Sequence, residues 1–318
     1  FSIPNILIPP VMHNKGNFII SLGSLCKWLG NEAEKLGVEI YPGFAASDII
    51  INNGVLKGIV TGDLGVDNQG NPGQNYQPGI EIHSKFTLFA EGCRGHLGKK
   101  LMSEFDLRKE AQHQTYGIGL KELWEVKPEK SEPGNVMHSI GWPLDQDTYG
   151  GSFLYHLDKN LVSVGFVIGL DYKNPYLSPY EEFQRFKMHS SIKPLLDEGR
   201  RVSYGARALN EGGWQSLPKL SFAGGSLIGC DAGTLNTPKI KGTHTAMKSE
   251  IVASENVFRK LEQNLEGVEL ESFQSDFNNS WAGKELKAAR NVRPSFKYGL
   301  KLGTILTGID QIFLRGKA

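Results

Sequence analysis

Lys85-Phe-Thr-Leu-Phe-Ala-Glu-Gly-Cys-Arg-Gly-His96 sets the architecture. Lys85 to Ala90 is apolar enough to be a buried strand. Gly92-Cys93-Arg94-Gly95 then turns the chain, and His96 to Phe105 reads as a helix. A strand that enters a helix through a glycine turn aims backbone N–H groups and the positive helix end at one point. That geometry suits a phosphate or a flavin edge. An ordinary strand-to-helix connection would use the same glycines, so spacing alone leaves both readings open.

Upstream, Leu22, Leu25, Leu29, Ala33 and Leu36 recur at three- and four-residue steps. Ser21 to Leu36 is therefore expected to be an amphipathic helix, stopped by Gly37. Val38 to Tyr41 is expected to be a short strand. Asp48 to Ile51 and Val55 to Thr61 read as a hairpin turned by Asn52-Asn53-Gly54. Asp67 to Pro78 is polar and reads as an exposed loop.

Downstream, Thr115–Trp124, Val136–Trp142, Ser152–Leu157 and Leu161–Leu170 are short, β-rich runs separated by turns, which predicts an antiparallel sheet. Ser178-Pro179, followed by Glu181 and Glu182, starts a helix that runs to His189. Arg201–Leu209 and Leu220–Phe222 are further strand candidates. Gly224–Gly242 reads as a long loop, with helices expected over Thr243–Leu265 and Glu271–Arg290.

Composition narrows the function classes. The 318 residues leave room for about two domains. Lys+Arg number 35 and Asp+Glu 34, a balance that argues against a broad electrostatic hold on nucleic acid. Glycine is in excess, 38 of 318 or roughly 12% against about 7% on average, which points to tight turns or backbone lying against a ligand. Cys26, Cys93 and Cys230 are too few for a four-thiolate cluster, and the histidines show no metal-binding spacing, so no metal site is expected. There is no G-x-S-x-G elbow, no P-loop and no opening G-x-G-x-x-G. No run of about 20 apolar residues spans a bilayer. Two apolar ends stand out: Phe1 to Met12, and Tyr298 to Leu314 followed by Arg315 and Lys317.

Two further stretches could carry chemistry. Ser221 to Glu250 holds one acid, Asp231, in a glycine-rich connection, and a helix starts near Gly242-Thr243. Asp231 can accept hydrogen bonds from ribityl or ribose hydroxyls, and the helix start can face the negative N1/C2=O edge of a reduced flavin. In Asp147 to His156, Gly150 and Gly151 lie beside Tyr149 and Phe153. An aromatic-walled slot of that kind suits a flat quinone, although a β-bulge or tight turn explains the glycine pair as well.

Longer blocks carry a family resemblance. Trp28 to Gly43, Phe89 to Gly95, Gln114 to Trp124, Gly141 to Leu144, Thr148 to His156, Tyr204 to Gly213 and Pro238 to Ser249 together resemble the electron-transfer flavoprotein–ubiquinone oxidoreductase family, along nearly the whole chain. The resemblance implies a mixed α/β and α+β, two-domain fold of the FAD-containing hydroxylase and reductase type. Residues 1–110 and 211–318 would form an incomplete FAD domain, and 111–210 an antiparallel-sheet quinone domain. FAD contacts would fall on Gly92, Cys93, Arg94 and Gly95, on Asp231, and on Gly242 and Thr243. The quinone would sit at Gly150 and Gly151, walled by Tyr149 and Phe153.

The resemblance also implies electron-transferring-flavoprotein dehydrogenase activity, without an acid–base catalyst. The partners would be electron-transfer flavoprotein, ubiquinone and a bacterial or mitochondrial inner-membrane surface, touched by Phe1–Met12 and Gly299–Leu314. The family's [4Fe–4S] cluster has no cysteine ligand set in this chain. The chain is therefore expected to be an internal piece that binds FAD weakly or not at all on its own. Two rival readings are a geranylgeranyl-reductase-like FAD enzyme acting on an isoprenoid lipid, and a cofactor-free membrane-surface module.

Overall fold

A computed structural model describes Ile8, Met12, His13 and residues 16–317. In chain order it contains α1 (Leu22–Lys35), β1 (Ala46–Asn52), β2 (Val55–Thr61), β3 (Leu64–Val66), β4 (Pro72–Gln77), β5 (Glu81–His83), β6 (Thr87–Phe89) and α2 (His96–Glu104). Next come β7 (Tyr116–Glu125), β8 (Val136–Ile140), β9 (Gly150–His156), β10 (Leu161–Gly169), α3 (Pro179–Lys187), α4 (Lys193–Leu196) and β11 (Arg200–Asn210). The chain continues through β12 (Ser221–Phe222), β13 (Gly225–Leu227), α5 (Gly229–Ala232) and α6 (Thr243–Glu262). It finishes with α7 (Phe273–Asn279), α8 (Trp281–Ala288), α9 (Val292–Ser295) and α10 (Leu300–Ile309).

Two cores organise these elements. The first joins residues from both ends of the chain: Leu56, Phe89, Leu97 and Leu101 pack with Leu220, Phe222, Leu227, Phe273 and Phe277. Here β6 pairs in parallel with β13, so the strand before the Gly92–Gly95 turn and the strand before Asp231 run side by side and end together. The second core lies under the five-stranded antiparallel sheet β11-β7-β10-β9-β8. Val162, Val164, Phe166 and Ile168 of β10 meet Phe183 and Phe186 of α3 there. Ser178 caps α3 by accepting from the Glu181 N–H, as the Ser-Pro pair predicts.

The Asn52–Gly54 hairpin forms, with Asn53 and Gly54 both at positive φ (50° and 74°), the twist a tight turn between strands needs. Four expectations need correcting. Val38–Tyr41 is not a strand: no described residue pairs with it, and Val38, Ile40 and Tyr41 stay exposed. Asp67–Pro78 is not all loop, because β3 and β4 pair as a ribbon. Gly224–Gly242 contains β13 and α5, since its glycines let strand and helix approach other backbone closely. The helix expected over Glu271–Arg290 is two, because Ser280 turns extended (ψ 165°) and caps α8 through the Gly283 N–H.

The apolar stretch Phe1–Met12 lies outside the described residues except at Ile8 and Met12. In the C-terminal one, Leu302, Ile305, Ile309, Ile312 and Phe313 are exposed on α10 and the turn after it. Among the described residues no helix is long and apolar enough to cross a membrane.

Candidate functional site

The parallel pairing of β6 with β13 brings the two glycine-bearing connections together. Cys93, Arg94 and Gly95 line a cavity of about 430 Å³ with Asp231 and Ala232, and Gln114, Tyr116 and Asn210 close its other side. Gly92 takes φ +93°, which turns the strand sharply into α2. At Gly95 a Cβ would overlap the Glu91 side chain, which folds back so that its Oε2 accepts the Gly98 N–H at 2.7 Å. The Asp231 carboxylate rests against the bare Cα of Gly98, where any side chain would collide with it. Arg94 lays its guanidinium over the Tyr116 ring, 5.4 Å from the centroid, and so leans toward the antiparallel sheet.

Burial, then the nearby Glu91 charge, push the Asp231 carboxyl up to about 7. Burial also raises the Cys93 and Cys230 thiols, which fits them as neutral groups, not nucleophiles. The Asn210 amide donates to the Cys93 carbonyl at 3.1 Å, while its Oδ1 is buried without a partner. A buried acceptor left without a partner beside a cavity wants a donor.

Gly242 and Thr243 do not line this cavity. Gly242 precedes α6, and a Cβ built on it would lie 3.6 Å from the Cys230 sulfur. The connection before α6 is held by Glu285 of α8, whose carboxylate accepts from Asn236 Nδ2 (2.7 Å), Lys239 Nζ (2.5 Å) and His244 Nε2 (2.7 Å). Burial opposes its ionisation, but these donors win and hold the carboxyl down at about 2.

Tyr149, Gly150, Gly151 and Phe153 lie on the antiparallel sheet. Register partners share a face, so Gly117 and Gly119 of β7, Gly165 and Gly169 of β10, Gly151 of β9 and Gly205 of β11 all point away from the second core. The Phe153 ring lies flat on Gly165, where a Cβ would overlap it, and stacks on Tyr155 at 4.9 Å. His138, hydrogen-bonded to Tyr155 at 2.9 Å, shares this face; burial, then the Lys241 charge, push it down to about 4 and keep it neutral.

Gly150 has a strand partner on the β10 side only, because the β8 ladder ends at Ile140–Gly151. A Cβ on Gly150 would meet Leu144 and the Val167 carbonyl, both at 2.5 Å, so packing alone already demands glycine there. Tyr149 packs against Phe296, with the Arg293 guanidinium 4.1 Å from its ring centre.

Sequence reading missed the groups at the seam between the two halves. Glu211 follows the cavity residue Asn210 and is buried; its carboxylate fits over the bare Cα atoms of Gly117 and Gly169 and accepts from Arg293 Nε at 3.3 Å. Arg293 also binds Asp171 through two hydrogen bonds, at 2.7 and 2.9 Å. The available signal was Gly-x-Gly at a spacing of two inside a strand (Gly117 and Gly119), which leaves one sheet face bare.

Comparison with known proteins adds an independent line. Residues 116–209 match a family model described as "ETF-QO, ubiquinone-binding". The chain is 53% identical, over 99% of its length, to electron transfer flavoprotein-ubiquinone oxidoreductase of Sus scrofa, and 54% identical over 99% to that of Pseudomonas aeruginosa. It spans about half the length of the curated relatives it matches, 53% of the first and 58% of the second. Among solved structures, a geranylgeranyl bacteriochlorophyll reductase-like protein from Thermoplasma acidophilum superposes with TM-score 0.69 at 13% identity, covering 93% of this chain and 67% of that one. A flavoprotein/dehydrogenase from Cytophaga hutchinsonii gives 0.57 at 16%, covering 94% and 70%. At such identities the likeness shows the fold, which is the two-domain reductase type expected from the sequence.

Proposed function

From a chain that is a sequence relative of the electron transfer flavoprotein–ubiquinone oxidoreductases over nearly its whole length, we propose the central part of an enzyme that takes electrons from reduced electron-transfer flavoprotein and passes them to ubiquinone. The observation that carries the reading is the adjacency of two unlike surfaces. A cavity with charged and amide groups in its wall lies between the Gly92–Gly95 turn and Asp231, and a glycine-bared, aromatic-edged sheet face lies next to it.

The cavity residues fit FAD. Asn210 offers an unmatched acceptor, Asp231 a carboxyl for ribityl or ribose hydroxyls, and the α2 start its first N–H groups, ahead of the Gly98 N–H that Glu91 takes. Gly242 and Thr243 would act from behind, through the uncapped positive end of α6. When bound, FAD supplies two-electron acceptance and stepwise release. Residues 1–110 with 211–318 would then serve the cofactor, and 111–210 the quinone. The bared face at Gly151, next to the Gly150 backbone, lets a planar ring lie against the chain, with Tyr149 and Phe153 as walls. The exposed apolar side of α10 suits a monotopic seat on an inner membrane, bacterial or mitochondrial. The [4Fe–4S] centre would be held by residues outside this chain.

The test uses the full-length protein. Heating should release a flavin with its yellow spectrum, and anaerobic mixing with reduced electron-transfer flavoprotein should reduce a ubiquinone analogue. Gly151→Val should raise the quinone KM and leave flavin content intact. A flavin-free protein, or one that reduces an isoprenoid double bond instead, contradicts the proposal.

A further inference from the structure

Resting on that reading, we infer that Glu211 is the internal proton carrier for quinone reduction. The geometry points to it. Gly117 of β7 and Gly169 of β10 face each other in the ladder; the Glu211 carboxylate occupies the space the missing Gly117 side chain leaves, and Asp171 and Arg293 fill that over Gly169 beside it. The Gly169 N–H donates to the Tyr149 carbonyl at 2.9 Å, which places Glu211 one strand from the Tyr149–Gly151 slot. On the other side, Asn210 carries the chain straight into the cavity of Cys93 and Asp231. Glu211 thus stands where the two surfaces meet.

The charged and titratable groups facing it are few. Arg293 of α9 donates to it, Asp171 lies behind Arg293, Tyr149 packs against the same guanidinium, and Arg290 lines the small void beside it. Asp171 is exposed while Glu211 is buried, so the Asp171–Arg293–Glu211 array runs from solvent to the interior. The void holds about 10 Å³, the lower limit for one water. Burial lifts the Glu211 carboxyl to about 7 although Arg293 opposes it, so near neutrality it can both hold and give a proton.

Reduction of one quinone consumes two electrons and two protons, and each carbonyl oxygen becomes a hydroxyl. The electrons come from reduced electron-transfer flavoprotein by way of the cofactor. Glu211 gives its O–H proton to the oxygen held near Gly150 and becomes a carboxylate, whose charge Arg293 balances. Solvent supplies the proton for the far oxygen and later restores Glu211.

The experiment compares the full-length holoenzyme with Glu211→Gln and Glu211→Asp. Infrared difference titration should show a buried carboxyl band that disappears with a midpoint of about 7 and is missing in Glu211→Gln. Quinone reduction should fall as pH rises through that midpoint. Glu211→Gln should lower kcat with a ubiquinone analogue about 100-fold, flatten the profile and change KM little, while Glu211→Asp recovers part of the rate. Ferricyanide, which takes electrons without protons, should still be reduced by Glu211→Gln. Equal loss with both acceptors, an unchanged quinone profile in Glu211→Gln, or a band that survives the substitution overturns the inference. An unmodified protein that reduces neither acceptor overturns the electron-transfer reading itself, whatever the infrared band does.

Discussion

The two faces of the antiparallel sheet each bury a glutamate and treat it differently. On the helix-covered face, Glu122 of β7 accepts from Lys187 at 2.7 Å, from Arg201 at 3.2 Å and from Trp124 Nε1 at 2.7 Å. Burial works against its charge, yet these donors overcome it and the carboxyl ends below its ordinary value. On the bared face, Glu211 has one guanidinium, shared with Asp171, and burial prevails. Glu285 and Asp231 repeat the contrast near the cavity: the first has three donors and sits at about 2, while the second, among the described residues, accepts only from the Glu91 N–H at 3.4 Å and sits at about 7. Fully partnered buried carboxylates hold the fold together. Under-partnered ones keep a proton in play near neutral pH, which costs stability and suits a working site.

The largest expected effect attacks the partnered side. Lys187→Met leaves Glu122 buried with less charge compensation and should cost about 3 kcal/mol in urea unfolding. Glu211→Gln should cost much less at pH 8, where it removes an unfavourable buried charge; an equal cost would erase the contrast.

Next come opposite pH slopes. The Asp231 proton is held in the folded chain up to about 7 but leaves the unfolded chain near its ordinary value of 3.8. The folded state therefore binds more protons between these values, and stability declines as pH rises through the window. Asp231→Asn should remove a decline of about 4 kcal/mol. Glu285 runs the other way. Its stabilisation is present above about 4.5 and is lost as pH falls toward about 2, so Glu285→Gln should flatten the acid limb.

A smaller effect separates glycines on the bared face. Gly117→Ala drives a Cβ into the Glu211 carboxylate and to 3.2 Å from the Ile168 carbonyl, and should cost about 1–3 kcal/mol. Gly205→Ala points the same way but meets nothing within 4 Å, and thermal unfolding should place it within about 0.5 kcal/mol of the parent.

Local signals were the legible part of the sequence. The Asn53-Gly54 turn, the Ser178-Pro179 cap and the strand-turn-helix at Lys85–Phe105 each depend on neighbours a few residues apart, and each formed. Val38–Tyr41 had strand chemistry but no partner among the described residues, and pairing, not propensity, makes a strand. The nearness of Cys93 to Asp231 follows from β6–β13 pairing, which resemblance suggested but residue spacing could not. Glu211 and Arg293 were out of reach for the same reason: they lie 82 residues apart and meet only because the sheet and α9 are packed together.

On the proposed reading, quinone lies on the glycine-bared face beside the Cys93–Asp231 cavity. Photolabelling of the full-length holoenzyme with an azido-ubiquinone, followed by peptide mapping, tests it directly. Label on the peptides of β9 and β10 around Tyr149–Phe153 and Gly165–Gly169, displaced by excess ubiquinone, is the predicted result. Displaceable label confined to the helix-covered face around α3, or to the β1–β2 hairpin, would contradict it.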